Sequence, residues 1–341
     1  MREIGFGIIG CGVISKWHAE AVAAIKGCKL IGATDRAKES AEAFAVKYNC
    51  KAFDTVEDLL ACPDIDVVSI CTPSGLHAQF CIQAADAGKH VITEKPMALT
   101  VADCDKIIEA ADRNHVKICV ISQLRFSHTV RSVKAAINDG QLGQMLCGDI
   151  YMKYHRDREY YLKSPWRGTW AMDGGGALMN QGVHGVDTIQ YLMGPVKSVY
   201  ANCRTLLHDI ETEDTCSAVL EFKNGALGMI QATTSVTPGS GRRIELNGSK
   251  GTIVLLENAV VEWSVDGTAI PADILISSSV KSGYSDPTNI DIGGHISQIS
   301  DMVEALRTGR NPAVDGREGK KPVEIICAIY ESSKTGKRID L

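Results

Sequence analysis

The chain has 341 residues, of which 45% are hydrophobic and 23% charged, and its formal net charge is −5. That length accommodates two cores, and mild acidity without a basic stripe interleaved with aromatics argues against a nucleic-acid partner. No apolar run reaches the ~20 residues of a membrane span, and MREIGFGIIG passes directly into a strand-like segment, so neither a membrane anchor nor a signal peptide is expected. Twelve cysteines without a C-x-x-C pair lack zinc-knuckle and thioredoxin spacing. They point to reduced thiols in a cytoplasmic protein, and no metal is expected.

The first half alternates short apolar strands with amphipathic helices. Strands are expected at 4–9, 29–35, 65–73, 89–96 and 116–121, and helices at 14–25, 37–48, 76–88 and 100–114. IDVVSICTP is a β-branched run of the kind buried on both faces of a parallel sheet. Such alternation predicts a doubly wound parallel sheet with right-handed crossovers.

Within that frame GIIGCGVIS sits where the first strand meets the first helix. In G-x-G-x-x-[G/A], one glycine makes the turn, one admits a pyrophosphate to the backbone, and a small third residue lets the helix pack on the strand. Here Gly10 and Gly12 hold the first two places and Ser15 the third. Asp35, ending the second strand 20 residues beyond Ser15, is placed to bind an adenosine ribose. A carboxylate there favours NAD, while Arg36 beside it leaves NADP open.

From about residue 125 the pattern changes. After a helix at 129–138, longer strands are expected at 144–154, 196–207, 215–222, 226–234, 242–248 and 251–257, with Asn224-Gly225 a hairpin signal. Helices return at 294–308 and 320–334. The expected division is a Rossmann domain over 1–124 and an α+β domain over 125–341, with a large, mostly antiparallel open sheet. Within the first of these domains TEKPM puts Lys95 at the C-terminal end of a parallel strand, the edge where open α/β sheets bind ligands.

ALMNQGVHGVDTIQYLM (177–193) is apolar around most of a helix, except for a stripe at Asn180, His184, Asp187 and Tyr191. Short polar groups on such a helix suit the wall of a cleft. Gly174, Gly175, Gly176, Gly182 and Gly185 would let a ligand or backbone approach closely. In contrast, H208DIETED214 reads as a solvated connection between strands.

GIIGCGVIS, Asp35, CTPSGLH, EKP, PWRGTW and GGGALMNQGVH, in this order, together resemble the Gfo/Idh/MocA oxidoreductases over almost the whole chain. The resemblance implies a two-domain fold, a homodimer or homotetramer through the open sheet, and hydride transfer between a nicotinamide and a secondary alcohol of a sugar, glycoside or cyclitol. C3 of a pyranoside is one such position. It implies cofactor contacts from Gly10, Gly12, Val13, Ile14, Asp35, Arg36, Thr72, Pro73, His77, Glu94, Lys95, Gln123, Trp166 and Arg167. Lys95 matches the family's substrate-orienting, proton-relay lysine and His184 its base. Asn180 stands where many members have aspartate, which weakens a strict aspartate–histidine dyad. Tyr154, His155, Arg158 and Tyr161 are candidate sugar contacts. Three alternatives stay open: an inositol dehydrogenase, an NAD-assisted glycosidase or epimerase without net redox, and a non-catalytic sugar and dinucleotide sensor.

Overall fold

The apolar run Ile4–Ile9 forms β1, the centre of a sheet in which every pair is parallel. In the computed structural model, which describes residues 2–265, 267, 270–271 and 292–341, the following elements come in order. They are α1 (Ser15–Ala24), β2 (Cys28–Thr34), α2 (Lys38–Tyr48), β3 (Lys51–Ala52), α3 (Val56–Leu60), β4 (Val67–Ile70), α4 (His77–Asp86), β5 (His90–Thr93), α5 (Val101–Arg113) and β6 (Ile118–Val120). Strand order is β3-β2-β1-β4-β5-β6. Order reverses between β1 and β4, so the C-terminal ends of these strands open the crevice where such sheets take nucleotides.

Then follow α6 (His128–Asn138), β7 (Met145–Lys153), α7 (Arg158–Leu162), a π-helical turn at Ala177–Gly182 leading into α8 (Val183–Met193), and β8 (Val196–Arg204). Four strands come next, β9 (Thr215–Phe222), β10 (Leu227–Thr233), β11 (Arg243–Gly248) and β12 (Gly251–Leu256). The chain ends with β13 (Ala259–Val265), α9 (Ile292–Thr308), α10 (Gly316–Thr335) and β14 (Ile339–Asp340). The eight-stranded sheet runs β13-β12-β11-β7-β10-β9-β8-β14, with one parallel pair, β10 beside β7. β13 and the short β14 were not expected from the sequence.

The chain divides into Met1–Gln123 with Asp291–Lys321, and Leu124–Ile290 with Pro322–Leu341. This corrects the expected division, which placed all of 125–341 in one domain. The reason is apolar surface: Ile299, Met302 and Val303 of α9 share a core with Phe6, Val22, Val67 and Ile92. Gln298 also serves the edge strand β6, its Oε1 accepting from Ser122 N (2.8 Å) and its Nε2 donating to Val120 O (2.7 Å). Those bonds replace a missing neighbouring strand for two backbone groups.

In the second unit α8 lies close on the sheet. A Cβ on Gly185 would come within 2.3 Å of Met152 Sδ, and one on Gly182 within 2.8 Å of Ala177 O. These two glycines therefore serve packing within the unit, not the approach of a ligand.

Candidate functional site

The nucleotide half of the site is built at the end of β1. Gly10 has φ +95°, and a Cβ there would lie 2.8 Å from Cys71 O, so both backbone conformation and space require glycine. Gly12 is the reverse: a Cβ on it would meet nothing within 4 Å. Ser15, in the third place of the motif, is fully buried and donates from Oγ to Gly12 O at 2.7 Å. Its hydroxyl is thereby satisfied where glycine or alanine has none to satisfy.

Asp35 fastens this loop. Its Oδ2 accepts from Cys11 N (2.7 Å) and its Oδ1 from Ala37 N (2.8 Å), which leaves one lone pair on each oxygen for a sugar hydroxyl. Val13 is exposed, Ile14 half-buried and Arg36 exposed. Thr72 and Pro73 follow β4, and Gln123 follows β6. Thr72 Oγ1 and Gln123 Oε1 are buried polar atoms without a hydrogen-bond partner in the structure. The open face at Gly12, the anchored Asp35 and these two orphaned oxygens fit a dinucleotide, with its pyrophosphate at the N-terminus of α1.

Lys95 is half-buried after β5, and its peptide bond to Pro96 is cis. Glu94, expected among the cofactor contacts, turns its carboxylate inward instead. Oε1 accepts from His18 Nε2 at 3.0 Å and lies 3.4 Å from His295 Nε2, while Oε2 accepts from Lys95 N at 3.2 Å. All three side chains are buried. Burial pushes the Glu94 carboxyl up, but the two imidazoles outweigh it and hold it well below the usual carboxylate range.

Two imidazoles and a carboxylate within 4.8 Å have the composition of a divalent-metal site. In such sites the outer ring nitrogen donates to a second partner. Here Nδ1 of His18 and Nδ1 of His295 are buried with none. The trio reads as a hydrogen-bonded cluster.

In the second unit Glu213 shapes the entry to the π-helical turn that carries Asn180. Its carboxylate accepts from Gly176 N (3.1 Å), Leu178 N (2.8 Å) and Tyr330 OH (2.9 Å), satisfying donors that a helix start leaves open. Burial pushes this carboxyl up against those bonds. Thr212, Glu213 and Asp214 are all buried, and Asp214 accepts from the backbone of Leu206, Leu207 and His208. This corrects the expectation of a solvated connection for its second half: Glu213 and Asp214 cap backbone donors, the former at the π-helical turn, while Asp209 and Glu211 are exposed.

The polar stripe of the helix divides in two. Asp187 is buried and takes a bidentate pair from Arg125 (2.9 and 2.6 Å), whose guanidinium also lies 4.9 Å from the Tyr191 ring. Asn180 and His184, one turn earlier, are half-buried. Asn180 Nδ2 donates to Asp173 Oδ1 at 2.5 Å, and Asp173 Oδ2 accepts from Gly168 N at 2.8 Å. Asn180 is thus held by a carboxylate at position 173, which the sequence reading missed.

Asn180 Oδ1 accepts from Gln181 Nε2 (3.1 Å), which also donates to Tyr160 OH (2.6 Å). Arg156 Nη2 donates to Gln181 Oε1 at 2.7 Å. Arg167 stacks on the Tyr160 ring at 4.0 Å and lies 5.5 Å from the Trp166 ring. Arg156, Tyr160 and Gln181 were not among the expected site residues, though HRDREYY already interleaves cations with aromatics.

The other candidates scatter. Tyr154 is buried near Arg242 and its hydroxyl is pushed up to about 12 by burial; His155 Nδ1 pairs with Thr237 Oγ1 (3.1 Å). Tyr161 OH pairs with Thr234 Oγ1 (3.0 Å), and Arg158 is exposed at the start of α7.

Residues 4–122 match the NAD-binding Rossmann domain of the Gfo/Idh/MocA oxidoreductase family, and residues 130–254 match a Gfo/Idh/MocA C-terminal domain. Myo-inositol 2-dehydrogenase of Thermotoga maritima is 27% identical over 98% of both chains. Two solved WlbA dehydrogenases, each in complex with NADH and UDP-GlcNAcA, superpose with a TM-score of 0.90. The enzyme of Bordetella pertussis is 35% identical, covering 100% of this chain and 98% of that one; the enzyme of Chromobacterium violaceum is 32% identical, covering 100% and 96%. The chain belongs to the Gfo/Idh/MocA family and is an NAD(P)-dependent oxidoreductase acting on CH–OH groups of sugars or cyclitols.

Proposed function

We propose that this enzyme oxidises a ring hydroxyl of a nucleotide-activated sugar acid of the UDP-N-acetylglucosaminuronic acid kind. The observation that carries the reading is the cationic and hydrogen-bonding group around Tyr160. Arg156 and Arg167 lie 5.5 and 4.0 Å from its ring, beside the Asn180–Gln181 pair. Guanidinium pairs suit a carboxylate. The relatives that hold a uronic-acid nucleotide are also more identical to this chain than the inositol dehydrogenase is.

NAD, when bound, supplies the hydride acceptor. In this reading the ammonium of Lys95 lowers the pKa of the reacting alcohol and stabilises charge developing on its oxygen. His184, whose unperturbed pKa of ~6.5 suits the task, accepts the hydroxyl proton. Asn180, oriented by Asp173, positions the sugar. The twelve cysteines, all free thiols, suit a reducing cytoplasmic setting.

Incubation with NAD and a panel holding this sugar acid, its neutral UDP-N-acetylglucosamine counterpart and myo-inositol should reduce the nicotinamide fastest with the acid. Lys95→Ala and His184→Ala should each abolish turnover and spare NAD affinity. Faster oxidation of the neutral compounds would overturn the substrate assignment, and near-normal rates in either variant would overturn the roles.

The eight-stranded sheet also presents Tyr200, Val219 and Met229, cross-strand neighbours that are all exposed. A contiguous apolar face of this kind marks an interface. We propose that two copies associate through it, and sedimentation of the chain as a monomer at micromolar concentration would contradict this.

A further inference from the structure

His77 is buried at the first position of α4. Its Nδ1 lies 2.7 Å from the carbonyl oxygen of Pro96 and its Nε2 2.9 Å from that of Thr72. A carbonyl oxygen can only accept, so each contact is a hydrogen bond only where the ring nitrogen carries a proton. A neutral imidazole has one such proton. In the neutral ring one contact would press a nitrogen lone pair against an oxygen lone pair.

The two carbonyls belong to different loops. Thr72 follows β4, and Pro96 follows Lys95 beyond β5. We propose that His77 is held as an imidazolium, a double donor that ties these two loops together and so positions Lys95. The positioning role rests on the reading of Lys95 given above.

The proposal stands on the two carbonyl contacts, against the cost of burial. Burial is the largest influence and lowers His77 from its ordinary 6.5, with Lys95 pushing the same way; the two carbonyls and the Glu94 carboxylate oppose them. Glu94 is held as the anion by His18 and His295, on α1 and α9. Lys95 is therefore flanked in sequence by a buried carboxylate and by a carbonyl bound to a buried imidazole. Imidazoles from three helices fix the tripeptide Glu94-Lys95-Pro96, none of them on the strand that carries it.

The test is spectroscopic. In the full chain with NAD, carrying 15N-labelled histidine, both ring nitrogens of His77 should be protonated across about pH 6–8, the range in which an ordinary histidine of pKa ~6.5 loses its proton. A bare ring nitrogen at neutral pH would overturn the proposal. His77→Gln assigns the signals; should it fail to fold, one-bond correlations within the labelled wild type assign them instead. The same variant supplies one neutral donor group. It should lower kcat by up to about 100-fold, the scale of a ~1 Å misplacement, with the sugar KM little changed. Unchanged kcat would remove the positioning role. If instead Lys95→Ala kept full turnover, the catalytic reading would fall while the protonation of His77 still stood on its spectrum.

Discussion

In the first unit a Cβ built on Gly12 meets nothing within 4 Å, whereas in the second a Cβ on Gly176 would lie 2.2 Å from Glu213 O. Both glycines sit just before a helix, yet one leaves room for a guest and the other closes on its own chain. At Gly12 the room admits a pyrophosphate. At Gly176 the close approach lets Glu213 reach the backbone N–H groups of residues 176 and 178, and that contact aims the helix bearing Asn180 and His184. Glycine in a motif thus has two physical meanings, separated by what a methyl group would strike.

Substitution separates them. Gly176→Ala should have the largest effect, because backbone cannot swing aside as a side-chain tip can. Overpacking typically costs about 1–3 kcal/mol, occasionally more, and a clash with a carbonyl belongs at the upper end. The expected result is a large fall in Tm or failure to fold, read by thermal unfolding. Gly12→Ala should leave Tm unchanged and raise the KM for NAD about tenfold, which corresponds to about 1.4 kcal/mol. If Gly12→Ala were the less stable of the two, or Gly176→Ala raised only the KM for NAD, the contrast would be wrong.

The same contrast explains how much was legible in the sequence. The first unit's strands, helices and glycine loop follow from periodicity and local turn chemistry, and β1 was placed to the residue. The helix expected at 294–308 is α9, but its place in the first unit was not foreseen because its partner surface, Phe6 and Val67 among others, is distant in sequence. In the second unit Asn180 and His184 stood out as short polar groups on an apolar helix. Asp173 did not, since its role depends on the chain doubling back to bring it to Asn180. Glu213 was misread because an acidic run in a connection looks solvated until its burial is known.

Charge offers a finer distinction between the units. Each buries a carboxylate, but Glu94 is held low by imidazoles and Glu213 is pushed high by burial. A lowered carboxyl stabilises the fold above its ordinary pKa of 4.5, and that contribution is lost as pH falls through the folded value. His18, also lowered, from 6.5, by burial, acts in the same direction: below that value the unfolded chain takes up the proton more readily, and stability falls. Glu213 has the opposite sign, its contribution being greatest below 4.5 and lost as pH rises. Hydrogen exchange corrected for intrinsic rates should therefore show the amides of α1 losing protection as pH falls below 6.5, through His18, and those of β5 as it falls below 4.5, through Glu94, while those of Gly176 and Leu178 hold or gain it. A parallel loss in both units would show that the two carboxylates are not held in opposite ways, and the electrostatic half of the comparison would fail.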